Sequence, residues 1–257
     1  MLYGLYLSAQ GAEAQSARLD VISNNLANSD TTGFKRDLAV FRAHQPFDVR
    51  HGSQRSLPGN LNAHSGGVSV AEVATDFANG PLKRTGNSLD VALQGPGFFQ
   101  VGEDARPFLT RNGQFTLDAE NRLVTADTGL AVLDDGGGAI QLPTGVRDIQ
   151  IASDGNITVN IPGGEPQSIG RLGVVAPGSL DQLQKTGNSL YTANGSVAPV
   201  EDADIHVEQA HLEGSGVNPV HEMTQMIDAS RAFEANVNMA KYQDESLARL
   251  IGTMQPR

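Results

Sequence analysis

The chain has 257 residues, and 18 Lys and Arg residues against 29 Asp and Glu residues give a formal net charge of −11 at pH 7. It contains no Cys, which excludes disulfide-stapled mini-proteins and thiolate metal sites, and its acidic balance makes nucleic acid a poor partner. We expect no membrane insertion and no cleaved signal peptide, because the sequence lacks a membrane-length apolar stretch and its N-terminus lacks a basic region followed by an apolar core.

Residues 1–35 predict a helix that pairs with other helices. Their apolar or small residues alternate spacings of three and four, which is typical of a coiled coil. We call these residues the N-terminal stripe: Leu2, Leu5, Ala9, Ala12, Ser16, Leu19, Ser23 and Leu26, widened by Val21 and Ile22.

Residues 36–79 predict an extended linker or arm. The segment carries several Pro and Gly residues and no sustained period. Val68, Val70 and Val73 indicate a strand near its end. A long segment without secondary structure is unusual inside a compact domain, so we expect it to pack on something else, such as another subunit.

Residues 80–208 predict a β-rich, mostly antiparallel domain with a core of its own. Short apolar or alternating runs recur between Gly, Asp, Asn and Pro residues. Asn112-Gly113 lies between two such runs, 108–110 and 114–117, and predicts a hairpin turn. Residues 83–89 recur almost unchanged at 184–190, including Thr-Gly-Asn-Ser-Leu, and we interpret this echo as a turn that is used twice.

Residues 209–257 predict a linker and a second long helix. Asn218 fits the N-cap position, and Pro219 fits the first helical position. Because two long stripes flank a domain with its own core, we expect the helices to pair with each other and with those of other copies, giving an α+β fold. The second stripe consists of Met226, Ser230, Phe233, Val237, Ala240, Asp244, Leu247, Ile251 and Met254, widened by Met223 and Ile227.

No motif predicts an enzyme, a metal site or a cofactor. His206, Glu208 and His211 form the most compact cluster of candidate ligands, but a metal site needs three or four that converge. His221-Glu222 lacks the second histidine of the zincin motif, and no Gly-x-Ser-x-Gly elbow occurs. An extracellular binding module that is oligomerised by its helices stays an alternative, although the scarcity of aromatic residues disfavours it.

Several motifs closely resemble those of the bacterial flagellar basal-body rod and hook proteins, the FlgF/FlgG family. Residues 23–28 (Ser-Asn-Asn-Leu-Ala-Asn) and 31–35 (Thr-Thr-Gly-Phe-Lys) are similar to the family's N-terminal motif. Further similarities follow in the same order as in the family, at residues 89–101, 110–115 with 123–125, 212–220 and 226–234. Asn121 stands where the family usually has a turn glycine, and we expect it to keep the left-handed conformation. We expect the same conformation at Gly33.

The resemblance implies a structural subunit of the flagellar rod. Its terminal helices would build a helical tube that transmits torque and surrounds the export channel. The implied partners are other rod and hook subunits, further copies of the chain and the flagellar type III export apparatus, and the implied location is the periplasmic rod. The motifs favour the proximal-rod F-type over the distal-rod G-type, with a distal-rod or hook-type paralogue as the alternative.

The candidate site is therefore an assembly interface, without catalytic or metal-binding residues. It comprises Leu5, Ala9, Ala12, Leu19, Ile22, Asn24, Asn25, Leu26, Asn28, Gly33, Phe34, Val217, Asn218, Met223, Met226, Ile227, Phe233, Val237, Ala240, Leu247 and Ile251.

Overall fold

The structure is a computed structural model that describes residues 2–43, 67–102, 107–146, 148–160, 165–200 and 205–254. The chain divides into two compact units. We call them the helical unit, Met1–Ala27 with Asp37–Asp76 and Asn218–Arg257, and the β unit, Asn28–Arg36 with Phe77–Val217. Helices at the two ends of the chain and a mostly antiparallel β region between them in sequence confirm the predicted α+β class.

The helical unit contains the two long helices α1 (Leu2–Ala27) and α2 (Pro219–Met254). Strands β1 (Arg36–Ala43) and β2 (Val68–Asp76) form a two-stranded sheet, and β2 packs against α1. Both described ends of the predicted linker are thus strands, and its residues 44–66 lie outside the described residues. In the described part of the chain, no helix has the length and apolarity needed to cross a membrane.

The β unit is built from short strands, and every strand pair recorded within it is antiparallel. A six-stranded sheet has the order β13-β14-β6-β5-β12-β15, and β9, β10 and β11 form a three-stranded sheet. Three two-stranded sheets, β4-β16, β3-β17 and β7-β8, complete the β unit. The strands are β3 (Leu82–Arg84), β4 (Val91–Gln94), β5 (Phe98–Val101), β6 (Phe108–Thr110), β7 (Phe115–Leu117), β8 (Leu123–Thr125), β9 (Asp148–Ile151), β10 (Asn156–Asn160), β11 (Gln167–Arg171), β12 (Val174–Pro177), β13 (Leu183–Gly187), β14 (Leu190–Ala193), β15 (Val197–Pro199), β16 (His206–Gln209) and β17 (His211–Glu213).

Two apolar clusters lie on opposite faces of β5. Because successive side chains of a strand point to opposite sides, Phe98 and Phe99 enter different clusters. Phe99 meets Phe115 edge to face at 5.4 Å in the larger cluster, and Phe98 lies 5.7 Å from Tyr191 in the smaller one. Burial on both faces explains why two adjacent residues of β5, Phe98 and Phe99, are both apolar.

The hairpin predicted at Asn112-Gly113 is wrong. β6 pairs with β5 and β14, whereas β7 pairs with β8, so the two strands that flank this dipeptide are not partners. The backbone of Gly113 instead lies against Val91: Val91 N donates to Gly113 O at 3.0 Å, and a β-carbon at Gly113 would stand 1.7 Å from Val91 O. Glycine is required here for a close backbone approach rather than for a two-residue turn.

Residues at the predicted left-handed positions behave as expected. Gly33 has φ 66° and Asn121 has φ 59°. Asn121 closes the turn between β7 and β8, where its backbone N–H donates to Asp118 O at 3.1 Å. Asparagine tolerates this conformation better than most residues, so the turn survives without the glycine.

The unit boundaries differ from the predicted ones at 35/36, 79/80 and 208/209. Residues 28–36 and 209–217 belong to the β unit rather than to the helices. The reason is local: Gly33 N donates to Glu213 O, and Gly216 N donates to Phe34 O, both at 2.9 Å. The segments that precede α2 and follow α1 are thereby hydrogen-bonded to each other inside the β unit.

Candidate assembly surfaces

The helices α1 and α2 lie side by side and antiparallel. A β-carbon at Gly4 would stand 3.0 Å from Gln243 Nε2, and one at Gly11 would stand 2.9 Å from Asn236 Oδ1. Further along, Arg18 Nη2 donates to Gln225 Oε1 at 3.1 Å. The two glycines are spaced by seven residues, and the absence of their side chains lets polar side chains of α2 reach the backbone of α1.

Three positions of α1 that contact α2 each come one residue before a member of the N-terminal stripe. They are Gly4, Gly11 and Arg18, whereas Ala9 and Ser16 of the predicted stripe are exposed. The pattern was read from apolar residues and therefore passed over two glycines and an arginine. Leu5, Ala12 and Leu19 of the stripe are half-buried next to these positions, and the stripe as a coiled-coil seam stays a prediction.

The contact between α1 and α2 includes polar side chains. Besides Asn236 and Arg18, it includes Gln243, whose Oε1 atom is buried and has no hydrogen-bond partner among the described residues. The same holds for Gln15 Oε1 on α1. A buried polar atom without a partner costs about 1–3 kcal/mol. These two atoms lower the stability that the helix pair gains from its contact.

Helix α2 exposes an apolar surface near its N-terminus. Val220, Met223 and Ile227, which we call the α2 patch, are 74%, 50% and 54% exposed, and their spacing places them on one side of the helix. At 3.6 residues per turn, the fully buried Ala229 lies roughly opposite Ile227. Apolar side chains gathered on one exposed face are typical of a surface that another molecule covers.

The predicted interface residues fall into three groups by exposure. Buried within the chain are Ile22, Asn25, Gly33, Phe34 and Val217. Half-buried are Leu5, Ala12, Leu19, Leu26, Asn28, Met226, Phe233, Val237, Ala240 and Leu247. Exposed are Ala9, Asn24, Asn218, Met223, Ile227 and Ile251.

Asn218 is the N-cap of α2, as predicted. Its Oδ1 atom accepts from Val220 N at 3.1 Å and from His221 N at 3.3 Å, which satisfies two of the N–H groups that a helix start leaves unpaired.

Replacing this cap should weaken the helical unit. We expect Asn218→Ala to lower its free energy of unfolding by about 1 kcal/mol, because the N–H groups of Val220 and His221 lose their acceptor. Thermal unfolding followed by the helical circular dichroism signal measures this. Asn238→Ala, an exposed change in the middle of the same helix, is the matched control and should stabilise slightly. Equal destabilisation by both variants would contradict a capping role.

Asn25 joins α1 to strand β1. Its Nδ2 donates to Asp37 O at 2.8 Å, its Oδ1 accepts from Asp37 N at 2.9 Å, and its side chain is 1% exposed. The side-chain amide thus imitates a strand partner for the first residues of β1. Thr75 of β2 donates to Asp37 Oδ1 at 2.8 Å, so Asp37 also links β1 to β2.

A buried ion cluster lies in the β unit. Glu213 of β17 accepts from Lys35 Nζ at 2.7 Å through Oε1 and from Arg111 Nη1 at 3.3 Å through Oε2, and all three side chains are at most 4% exposed. Burial lowers the pKa of Arg111 from its ordinary value, while the negative charge of Glu213 opposes that shift. One carboxylate thus compensates two buried cations.

Backbone groups complete the cluster. Glu213 Oε1 also accepts from Gly80 N at 2.8 Å, and Lys35 Nζ donates to Ala78 O at 2.9 Å. Arg111 donates to the carbonyl oxygens of Leu93 at 3.1 Å and Gly95 at 2.6 Å. These bonds satisfy backbone atoms from two separate segments, so the cluster holds 78–80 and 93–95 next to the side chains of Lys35, Arg111 and Glu213.

The second copy of the internal repeat contacts the Gly33–Lys35 turn. Lys185 Nζ lies 4.5 Å from the centre of the Phe34 ring and donates to Lys35 O at 2.7 Å. In this copy Asn188 and Ser189 both have positive φ, as a tight hairpin between β13 and β14 requires. The sequence identifies the repeat but not this role, since the first copy lies in a different turn.

The repeat offers a matched pair of variants. We expect Lys185→Ala to cost the β unit about 1–2 kcal/mol, because it loses a cation–π contact and a hydrogen bond to the Lys35 carbonyl. Arg84, at the equivalent position of the first copy, is exposed, and Arg84→Ala should stay within about 0.5 kcal/mol of the unchanged protein. Urea unfolding of both variants checks this, and equal effects would refute a special role of the second copy.

Sequence reasoning did not single out Arg111, Glu213 or Lys185 as site residues. Arg111 and Glu213 are 102 residues apart, and Lys35 and Glu213 are 178 apart, so no local pattern links them. The only local hint is an apolar residue directly before two of the three cluster charges: Phe34 precedes Lys35, and Leu212 precedes Glu213. The candidate ligand Glu208 accepts from Gln94 Nε2 instead, and within the described ranges no three His, Asp or Glu side chains gather as a metal site requires.

Comparison with known proteins gives the family. Over 237 residues the chain is 36% identical to the flagellar basal-body rod protein FlgF of Caulobacter vibrioides, a match that covers 91% of each chain. The chain belongs to the flagellar basal-body rod protein family. It is 33% identical to FlgG of Bacillus subtilis over 98% of each chain, and 34% identical to FlgG of Agrobacterium fabrum over 94% of this chain and 95% of that one.

Three family models match in order along the chain. Residues 5–35 match the flagella basal body rod protein model, 92–159 the flagellar hook protein FlgE/F/G D1 domain, and 208–253 the flagellar basal body rod FlgEFG protein C-terminal model. Lys35, Arg111 and Glu213 each fall in a different one of these segments. The buried ion cluster is therefore the place where the three family segments meet. Relatives of both types occur at similar identity, so the preference for the F-type over the G-type stays a prediction.

Proposed function

We propose that this member of the rod family assembles through α1 and α2 with neighbouring subunits into a helical tube that transmits torque and surrounds the export channel. In this proposal the two helices form a coiled-coil inner layer with those of adjacent copies. Contacts between unlike surfaces of successive subunits do not close on themselves, and they propagate a helix.

The α2 patch is the observation that carries this proposal. Val220, Met223 and Ile227 are apolar, lie on one side of a long helix and are at least half exposed. The buried, unpaired Oε1 atoms of Gln15 and Gln243 add to the argument, because they lower the stability of the helix pair on its own. Coiled-coil packing needs such an apolar seam on each participating helix.

The remaining assignments follow from rod membership. We propose that the subunit functions in the periplasmic part of the basal body, reaches it through the flagellar type III apparatus without a cleaved signal, and contacts other rod and hook subunits. The family is a structural one, and we propose no enzymatic activity for this chain.

Deletion of the gene and fractionation of basal bodies test the rod assignment. We expect antibody to detect the protein in the rod fraction of the parent strain. In the deletion strain we expect loss of the distal rod and hook, because later subunits have no surface to add to. A protein that is absent from basal bodies, in a strain that still builds complete filaments, would overturn the proposal.

A further inference from the structure

Three Asn-Gly pairs occur in the chain: Asn79-Gly80, Asn112-Gly113 and Asn194-Gly195. In such a pair the backbone nitrogen of glycine can attack the side-chain amide of asparagine, and glycine hinders this attack least because it has no side chain. The attack needs a side chain that is free to rotate, a glycine nitrogen that is not held elsewhere, and access for water. The structure distinguishes the three pairs on each of these requirements.

The first two pairs are held by hydrogen bonds. Gly80 N, the would-be nucleophile, donates to the buried carboxylate of Glu213 at 2.8 Å. The side chain of Asn112 is fixed at both ends, because its Oδ1 accepts from Gln114 N at 3.1 Å and its Nδ2 donates to Asp127 Oδ2 at 3.2 Å. Asn112 is also only 6% exposed. Neither pair can reach the geometry of attack without breaking these bonds.

Asn194-Gly195 lies in the exposed turn between β14 and β15. The backbone N–H of Asn194 is held by Gln182 O at 3.0 Å, which anchors the start of the turn. Its side-chain amide and the nitrogen of Gly195 have no hydrogen-bond partner among the residues that the structure describes. Both residues are exposed, so water has access to the turn, and Asn194 also lines an open cavity of about 650 Å³ beside β6 and β14.

We propose that Asn194 is a site of spontaneous deamidation in the folded protein, and that the other two Asn-Gly pairs are protected. The inference is independent of the assembly proposal, since it concerns the edge of the six-stranded sheet in the β unit.

The reaction needs only water and proceeds in two steps. The nitrogen of Gly195 loses its proton and bonds to Cγ of Asn194, the bond between Cγ and Nδ2 breaks, and the side-chain nitrogen leaves with the proton as ammonia. Water then adds to one of the two carbonyl carbons of the resulting succinimide and opens it. Opening at one carbonyl gives aspartate, and opening at the other gives isoaspartate. No electrons are transferred to or from the protein.

The products change the turn chemically. Each carries a new carboxylate, which moves the formal net charge from −11 to −12. Isoaspartate also lengthens the backbone path by one methylene group just before β15, whose residues Val197 to Pro199 pair with Pro177 to Val175 of β12. We expect weaker pairing of β15 in the isoaspartyl form, because the register of these pairs depends on the turn length.

Peptide mapping by mass spectrometry tests the proposal on the full chain. The folded protein is incubated at mildly alkaline pH, samples are digested at intervals, and the deamidated fraction is measured at all three asparagines. We expect Asn194 to convert roughly a hundredfold faster than Asn112, since restraint that keeps reacting groups out of position slows a reaction on this scale. Equal rates at Asn194 and Asn112 in the folded chain would overturn the proposal.

The unfolded chain and two variants separate the effect of the folded structure on the deamidation rate from the effect of the local sequence. In urea, where the protecting bonds are absent, the three pairs should convert at similar rates, and persistence of the folded pattern would contradict structural protection. Asn194→Gln should abolish only the signal at this position, because the longer side chain forms the cyclic product poorly. Gly195→Ala should slow it at least about tenfold by hindering the attack, and an unchanged rate would refute attack by this nitrogen.

Discussion

Glu213→Gln should lower the free energy of unfolding of the β unit by about 3–5 kcal/mol, the cost of leaving a buried charge without its partner. The change keeps the size of the side chain but removes the carboxylate that contacts both Lys35 Nζ and Arg111 Nη1. Two buried cations then lose their shared counter-charge. Urea unfolding followed by the near-ultraviolet circular dichroism of the buried Tyr191 measures the loss.

Two comparisons decide whether charge is the cause. Glu208→Gln removes a carboxylate whose side chain is 41% exposed, and it should cost no more than about 0.5 kcal/mol. The triple change Lys35→Met, Arg111→Met and Glu213→Leu removes every charge, so it should be less destabilised than Glu213→Gln alone despite having fewer hydrogen bonds. A triple variant as unstable as the single one would show that the hydrogen bonds, and not the charges, dominate.

The helices and most strands of the β unit's first half could be predicted from the sequence. The apolar stripes that predict the helices repeat over many residues, and Asn218 marks the start of α2. The adjacent aromatic residues Phe98 and Phe99 favour a strand. The edge strand β13 was missed because it carries a single apolar residue, and β15 was missed because it has three residues and ends in Pro199. The hairpin prediction at Asn112-Gly113 was wrong because a local turn signal carries no information on the backbone of Val91. This backbone lies so close to Gly113 that a side chain there would overlap it.

The candidate site was predictable only where it is local. The apolar residues of the α2 patch belong to a helical period, so Met223 and Ile227 were found. The ion cluster combines residues from three distant segments. The contact of α1 with α2 depends on Gly4 and Gly11, which leave space for side chains of α2. Both are set by tertiary contacts, about which a single sequence carries no periodic signal.

Ile227→Asp should abolish incorporation of the subunit into the rod while leaving its fold intact. Ile227 is 54% exposed, so the change removes few contacts within the chain. In an assembled interface the same carboxylate would be buried without a partner at about 3–5 kcal/mol, which corresponds to a roughly hundred- to several-thousandfold weaker association. Complementation of the deletion strain, with swimming assays and antibody detection in isolated basal bodies, measures the effect.

The control must introduce the same charge on the same helix. Asn238→Asp does so at an exposed polar position about three turns further along, and it should support normal swimming because an already hydrated site loses no apolar contact. Circular dichroism of both purified variants should match that of the unchanged protein, which separates failed assembly from failed folding. Normal rods built from Ile227→Asp would exclude the α2 patch from the interface. The exposed residues of the N-terminal stripe, Ala9, Ser16 and Ser23, would then be the next surface to test.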